Sequence, residues 1–190
     1  MELQRTRVLI QTKDTKLSSS MAQILVPPVF EATICTDPNE ARRKINESYF
    51  EIIIVDSDDG NSNGIDFAID ISESLSSILL LTPSHLFDQI SYKVEPFGIL
   101  TVTKPFDTFY FYNMIKVALA VQAKVQRISS QTVKLKEKME EIRLVNRAKM
   151  LLIQNKQMTE QEAHRFIEKQ AMDNCVKRTV ISQKIIDENS

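Results

Sequence analysis

The stretch FYNMIKVALAVQAKVQRISSQTVKLKEKMEEIRLVN, residues 111–146, contains no glycine or proline and repeats apolar side chains at alternating steps of three and four residues. The repeat positions are Phe111, Met114, Ala118, Val121, Val125, Ile128, Thr132, Leu135, Met139, Ile142 and Asn146. A period of 3.5 residues keeps one stripe of a helix facing a partner helix. The pattern therefore predicts a coiled-coil dimerisation helix, with a seam made of Val121, Val125, Ile128, Leu135, Met139 and Ile142.

The flanks of this seam are basic. Lys124, Lys136, Lys138 and Arg143 occupy heptad positions e and g, and no acidic residue does. A parallel dimer would bring Lys138 close to Arg143 of the second chain, which is unfavourable unless solvent or a polyanion screens the charges. The alternative is a single amphipathic helix that lies on its own domain, although so long a stripe would extend beyond a domain of this size.

Short β-rich runs alternate with helical patterns in the first 110 residues, as they do in parallel sheets covered by helices. Strands are predicted at 7–11, 31–35, 51–56, 77–82 and 98–102, and helices at 15–25, 37–48, 64–75 and 85–93. Asp37, Pro38 and Glu40 are typical of the N-cap, first residue and capping-box acid of the second helix. The order predicts an α/β flavodoxin-like domain with a five-stranded parallel sheet.

Three polar residues follow strands of this sheet. Asp56 ends the apolar run 52–55, Thr82 ends the run 78–81, and Lys104 follows the fifth strand with Pro105 directly after it. Ligand sites of such sheets lie outside the carboxyl ends of the strands, so the three side chains are expected to meet there. This arrangement over about residues 5–120 resembles the receiver domain of response regulators, which implies a phosphoacceptor Asp56, a switch Thr82 and Lys104.

Other residues depart from the receiver pattern. Thr12 and Lys13 stand where receivers carry two acids for Mg²⁺, a cation that requires carboxylate oxygens. Pro83 has no N–H to hold a phosphoryl oxygen, and Asp58 and Asp59 would repel an incoming anion. We therefore predict a pseudo-receiver without metal or cofactor, in which Asp56 and Lys104 form an inactive ion pair.

The sequence after the coil predicts a small bundle. A break at 155–158 precedes the capping-box pair Thr159 and Glu162, which opens a helix to about 173, and a last helix follows at 179–187. The run Arg147-Ala148-Lys149 with Leu151-Leu152, then Thr159-Glu160-x-Glu162-Ala163-His164, Ala171-Met172 and Ile185-Ile186, resembles the ANTAR domain, the RNA-binding output module of transcription antitermination regulators. The predicted organisation is a pseudo-receiver at 1–110, a coiled coil at 111–146 and an ANTAR three-helix bundle at 138–190.

The charge distribution agrees with a nucleic-acid partner. Residues 1–123 carry a net charge of −6 and residues 124–186 a net charge of +7. The ANTAR resemblance implies a dimer that binds hairpins in nascent mRNA, and a basic half suits a polyanion. The candidate RNA-binding residues are Arg147, Lys149, His164, Arg165, Lys169, Lys177 and Arg178. Control would come from a sensor or repressor protein, or from a ligand, in place of phosphorylation.

Two other function classes remain open. A helix-turn-helix DNA-binding protein is disfavoured because the last helix is poor in residues that could read the major groove. Its only basic residues are Lys184 and, at its start, Arg178. An interaction scaffold would use the basic flanks to bind another protein. An enzyme is not expected. The three glycines of the chain do not form a phosphate-binding loop, and its cysteines and histidines do not have the spacing of metal ligands. The lack of a long apolar run predicts a cytoplasmic protein without a membrane partner.

Overall fold

The computed structural model describes residues 5–58 and 62–189, which form two compact units with the boundary between Arg127 and Ile128. The predicted repulsion from Asp59 concerns a residue outside this described part. Among the described residues, no helix combines the length and the apolar composition that a transmembrane span requires. The two units are described separately below.

A five-stranded parallel sheet forms the centre of the first unit, as predicted. Its strands are β1 (Thr6–Gln11), β2 (Phe30–Cys35), β3 (Ile52–Asp56), β4 (Ser77–Pro83) and β5 (Leu100–Lys104), in the spatial order β2-β1-β3-β4-β5. The strands β3 and β4 are buried on both faces because helices cover the sheet on both sides. The order reverses between β1 and β3, so the carboxyl edge opens at that point.

The helices of this unit are α1 (Thr15–Ile24), α2 (Pro38–Glu47), α3 (Ser62–Asp70) and α4 (Phe87–Val94), with short 3-10 turns at Ser84–Leu86 and Glu95–Phe97. Asp37 caps α2 as predicted, since its carboxylate accepts from the Asn39 amide at 3.3 Å. Glu40 instead pairs with Lys44 at 2.8 Å, one turn along the helix. The prediction that Glu40 completes a capping box was therefore wrong.

Three bounds in this unit differ from the sequence prediction. Helix α3 ends at Asp70 rather than at residue 75, and the Ser72 hydroxyl donates to the Ile69 carbonyl at 2.7 Å just after this end. Strand β5 begins at Leu100 rather than at Gly98, because Gly98 ends the preceding turn with a left-handed φ of 70° that suits glycine. The unit also extends past residue 110. Phe111 and Ala118 are fully buried among the residues of one sheet face, and the Phe111 ring stacks on Phe106 at 4.6 Å between centroids.

The long helix α5 (Thr108–Lys156) contains the heptad stretch. Its first turns pack on the sheet, so Phe111 and Ala118 belong to the core of the first unit and not to a free stripe. The six predicted seam residues are different: Val121, Val125, Ile128, Leu135, Met139 and Ile142 are between 40% and 64% exposed. An apolar stripe of this length without a covering element within the described chain is what a helical partner would bury.

The second unit is a helical bundle in which the end of α5 packs with α6 (Glu160–Asp173) and α7 (Arg178–Glu188). Its core contains Val145, Ala148, Leu152, Ala163, Ile167, Ala171, Ile181, Ile185 and Ile186. The predicted capping box starts α6: Thr159 Oγ1 accepts from the Glu162 amide, and the Glu162 carboxylate accepts from the Thr159 amide at 2.8 Å. Both helices thus begin and end within two residues of the predicted positions.

Candidate regulatory site and nucleic-acid interface

Asp56 lies at the carboxyl edge of the sheet, at the end of β3, and only 3% of it is exposed. Its carboxylate accepts three hydrogen bonds within the described residues: from the Thr12 hydroxyl at 2.7 Å, from the Asp58 amide at 3.1 Å, and from the Lys104 ammonium. The Lys104 Nζ also donates to the Asp58 carbonyl at 3.1 Å. The ion pair predicted between Asp56 and Lys104 is present, and Thr12 encloses it from a third strand end.

The donors around Asp56 do not suit Mg²⁺. Thr12 offers a hydroxyl and no carboxylate, and this hydroxyl donates to Asp56. Asp14, the next acid along the chain, accepts from the Leu17 and Lys16 amides as the N-cap of α1, which holds the pKa of this exposed carboxyl below its usual range. Within 5–58 and 62–189, no group of three or more possible ligands is placed to hold a metal ion.

Thr82 is the remaining predicted residue at this edge of the sheet. The Thr82 side chain is completely buried, and its hydroxyl has no hydrogen-bond partner within the described part of the chain. Pro83 follows with no amide hydrogen to offer a ligand. Gly64 packs against the end of β3, since a Cβ at this position would lie 2.8 Å from the Asp56 carbonyl oxygen. The Asp56 carboxylate is thus held by donors of the chain itself.

The basic residues of the second unit fall into two sets. Lys149 and Arg178 are engaged within the bundle: Lys149 pairs with Glu160 at 2.9 Å, and Arg178 pairs with Glu141 at 2.9 Å and with Glu168 at 3.4 Å. The Lys149 hydrogen bond also holds the pKa of Glu160 below its usual range. These ion pairs connect α5, α6 and the start of α7.

His164 also has a neighbour in its own helix. Its Nε2 lies 3.2 Å from a Glu168 carboxylate oxygen, one turn further along α6. The acids Glu141, Glu160 and Glu168 were missed by the sequence reasoning, which weighed only the basic residues. The spacing of four residues between His164 and Glu168 is the one signal that could have indicated such a pair.

The other candidate cations face solvent. Arg147, Arg165, Lys169 and Lys177 are exposed and have no ion pair among the residues that the structure describes. Arg165 and Lys169 stand four residues apart on α6, so they share one face of that helix. Of the seven predicted RNA-binding residues, these four retain a charge available to an external anion.

Comparison with known proteins gives a family match within the second unit. Residues 133–186 match the ANTAR domain. Over 183 residues the chain is 25% identical to the transcriptional regulatory protein PdtaR of Mycobacterium tuberculosis, covering 95% of this chain and 89% of that protein.

Solved structures resemble the first unit. A CheY-like response regulator receiver domain from Methanospirillum hungatei JF-1 superposes with a TM-score of 0.57 at 22% identity, over 63% of this chain and 98% of that domain. NtrX from Brucella abortus, in complex with ADP, superposes with a TM-score of 0.59 at 15% identity, over 67% of this chain and 29% of that chain. At these identities the likeness concerns the fold.

The first unit therefore has the fold of a response-regulator receiver domain. The helical bundle that follows it contains an ANTAR domain, at residues 133–186. The chain thus combines a receiver-like domain with an ANTAR domain, joined by the continuous helix α5.

Proposed function

We propose that this protein is a transcription antitermination regulator that binds hairpins in nascent mRNA as a homodimer. The observation that carries the proposal is the ANTAR match over residues 133–186, which coincides with the basic half of the chain. The relative PdtaR, a transcriptional regulatory protein, has similar sequence over nearly the whole chain and supports a role in transcription.

The free cations suit an RNA ligand. Paired A-form RNA hides its base edges in a deep and narrow groove, so a protein recognises the phosphates and the unpaired bases of loops. Arg147, Arg165, Lys169 and Lys177 are proposed to neutralise phosphates, because their charges are exposed and unpaired within the described chain. Lys149 and Arg178 are proposed to stabilise the bundle instead. Lys149 already pairs with Glu160, and Arg178 pairs with Glu141 and Glu168.

The exposed seam of α5 is proposed to pair with the same stripe of a second chain. Two linked ANTAR bundles would gain avidity for an RNA that presents two hairpins at a suitable spacing. Control is proposed to act through a sensor or repressor protein, or a ligand, on the receiver-like domain. Phosphorylation of Asp56 is not expected, because its carboxylate already accepts hydrogen bonds from the Thr12 hydroxyl and the Lys104 ammonium.

The direct test is binding of the full-length protein to a two-hairpin RNA and to duplex DNA of equal charge, across a salt series. The informative variant is Arg165→Ala with Lys169→Ala, which removes two exposed cations of one helix face. We expect weaker RNA binding and a salt dependence whose logarithmic slope falls by roughly 1 for each lost phosphate contact.

A matched control is Lys184→Ala in the same bundle. Lys184 is exposed and lies 3.9 Å from Glu188 on α7, outside the proposed set. RNA affinity should be unchanged in this variant. Equal binding of duplex DNA would favour a DNA-binding regulator, and binding of neither nucleic acid below about 10⁻⁴ M would favour a protein-binding scaffold.

A further inference from the structure

The exposed seam of α5 in the second unit could be buried in a dimer with almost no loss of hydrogen bonds to water. Ile128, Leu135, Met139 and Ile142 are all more than half exposed, and the described chain offers no element to cover them. The polar position between them is Thr132, whose hydroxyl donates to the Ile128 carbonyl at 3.0 Å. Burying this stripe in a dimer would therefore leave the Thr132 hydroxyl with a partner.

The flanks of the same stripe oppose the pairing of two copies. With Ile128, Leu135 and Ile142 at d positions, Lys138 falls at a g position and Arg143 at the next e position. In a parallel dimer the g residue of one chain approaches the e residue of the other, so two symmetric Lys138 to Arg143 contacts form. Contacts between like charges at such positions disfavour association.

The neighbouring acids neutralise this repulsion only in part. Arg143 pairs with Glu140 at 2.9 Å within its own helix, and this pair is exposed on both sides. Lys138 and Lys136 have no ion pair within the part of the chain that the structure describes. A linear polyanion lying along the basic flanks would screen these charges, whereas the apolar seam would still supply the attraction.

We infer that dimerisation through α5 is coupled to nucleic-acid binding, because the phosphate backbone of RNA neutralises the Lys138 and Arg143 flanks that otherwise weaken the dimer. The inference rests on the proposed function, since it uses the same dimer seam and the same class of ligand. Its consequence is that the free protein dissociates readily and that the dimer assembles on its RNA. By linkage, each event strengthens the other by the same factor.

The test measures the dimer dissociation constant of the full-length protein by sedimentation equilibrium, alone and with an unstructured uridine homopolymer of RNA. Lys138→Glu turns two repulsive contacts into two attractive ones. An exposed charge pair changes an equilibrium constant by about twofold, so reversing the sign of both contacts should tighten the dimer roughly tenfold. Arg143→Glu should tighten it in the same direction.

The double variant separates specific contacts from net charge. Lys138→Glu combined with Arg143→Glu restores like charges at both contacts, and its dimer should return to within about threefold of the unmodified protein. Lys134→Glu is the matched control, because this exposed residue lies on the same helix at position c, outside the flanks. It changes the net charge equally and should leave the dissociation constant nearly unaltered.

The uridine homopolymer should tighten the dimer of the unmodified protein several-fold at low salt, and tighten that of Lys138→Glu much less. The inference is overturned if the dimer forms but Lys138→Glu and Lys134→Glu behave alike, a result that leaves the proposed RNA-binding dimer intact. It is also overturned if the homopolymer strengthens both dimers equally, because the RNA then acts as a template. Failure of every variant to dimerise would instead refute the proposed dimer itself.

Discussion

Substitution of Lys104 by methionine tests whether the strand-end site is a structural ion pair. The Asp56 side chain is 2% exposed and that of Lys104 is 22% exposed. Lys104→Met would leave a buried carboxylate with the Thr12 hydroxyl and the Asp58 amide as donors. Removing one partner of a buried pair costs roughly 3–5 kcal/mol, and the partial exposure of Lys104 places the expected loss near the lower end, at about 3 kcal/mol.

The chain provides a selective probe for this measurement. It has no tryptophan, and its four tyrosines, Tyr49, Tyr92, Tyr110 and Tyr112, all lie before the boundary at Arg127. Tyrosine fluorescence during urea unfolding of the full chain therefore reports on the first unit. The matched control is Lys93→Met, which removes an exposed pair with Asp66 at 3.5 Å and should cost less than about 0.5 kcal/mol.

A double-mutant cycle gives the coupling directly. Asp56→Asn keeps the shape of the side chain and an acceptor for the Thr12 hydroxyl, and the Lys104 ammonium remains partly solvated. This variant should therefore lower the free energy of unfolding by about 1–2 kcal/mol. The double variant should cost less than the sum of the single variants by at least about 1 kcal/mol. If Lys104→Met is no more destabilising than Lys93→Met, the Asp56 carboxylate does not depend on Lys104 and the reasoning is refuted.

Three further predictions concern single side chains. Thr82→Val should be neutral or stabilise the first unit by up to about 1 kcal/mol in the same urea assay, because the buried hydroxyl has no partner in the described chain; a loss above about 1 kcal/mol would contradict this. Gly64→Ala should destabilise that unit by about 2 kcal/mol or more, since its Cβ would meet the Asp56 carbonyl oxygen at 2.8 Å. Thr159→Ala should lower the hydrogen-exchange protection of α6 by about 1 kcal/mol and Thr159→Ser should restore it. The hydrogen bonds from the Thr159 amide and hydroxyl hold the pKa of the Glu162 carboxyl below its usual range, so the stability that they contribute is present above that range and should be lost as the pH falls below it.

The sequence predicted the elements of this protein well where local chemistry decides them. Strand β3 is a continuous apolar run, and a strand buried on both faces requires that composition. The Thr159 and Glu162 capping box was predicted because both partners lie within one turn. Glu40 was misassigned in a similar motif because a lysine four residues later competes for its carboxylate.

The candidate site was predictable in outline and not in detail. The order of Asp56, Thr82 and Lys104 along the chain places them at one sheet edge, since parallel strands end on the same side. The hydrogen bond from Thr12 to Asp56 spans 44 residues, and no local spacing indicates it. The basic set was predicted as a group, but its division depended on acids brought from other helices, such as Glu141 for Arg178.

The sequence by itself determined the alternation of strands and helices, the heptad stripe and the three-helix bundle, because each arises from periodicity and capping within a few turns of chain. Only the tertiary structure decided which part of the stripe is buried against the sheet and which part is exposed to solvent. Phe111 and Ala118 follow the same heptad as Ile128 and Leu135, yet the first pair is buried by the sheet and the second pair is exposed. A repeat specifies which residues share a helix face, whereas the surface that covers this face is assembled from strands distant in the sequence.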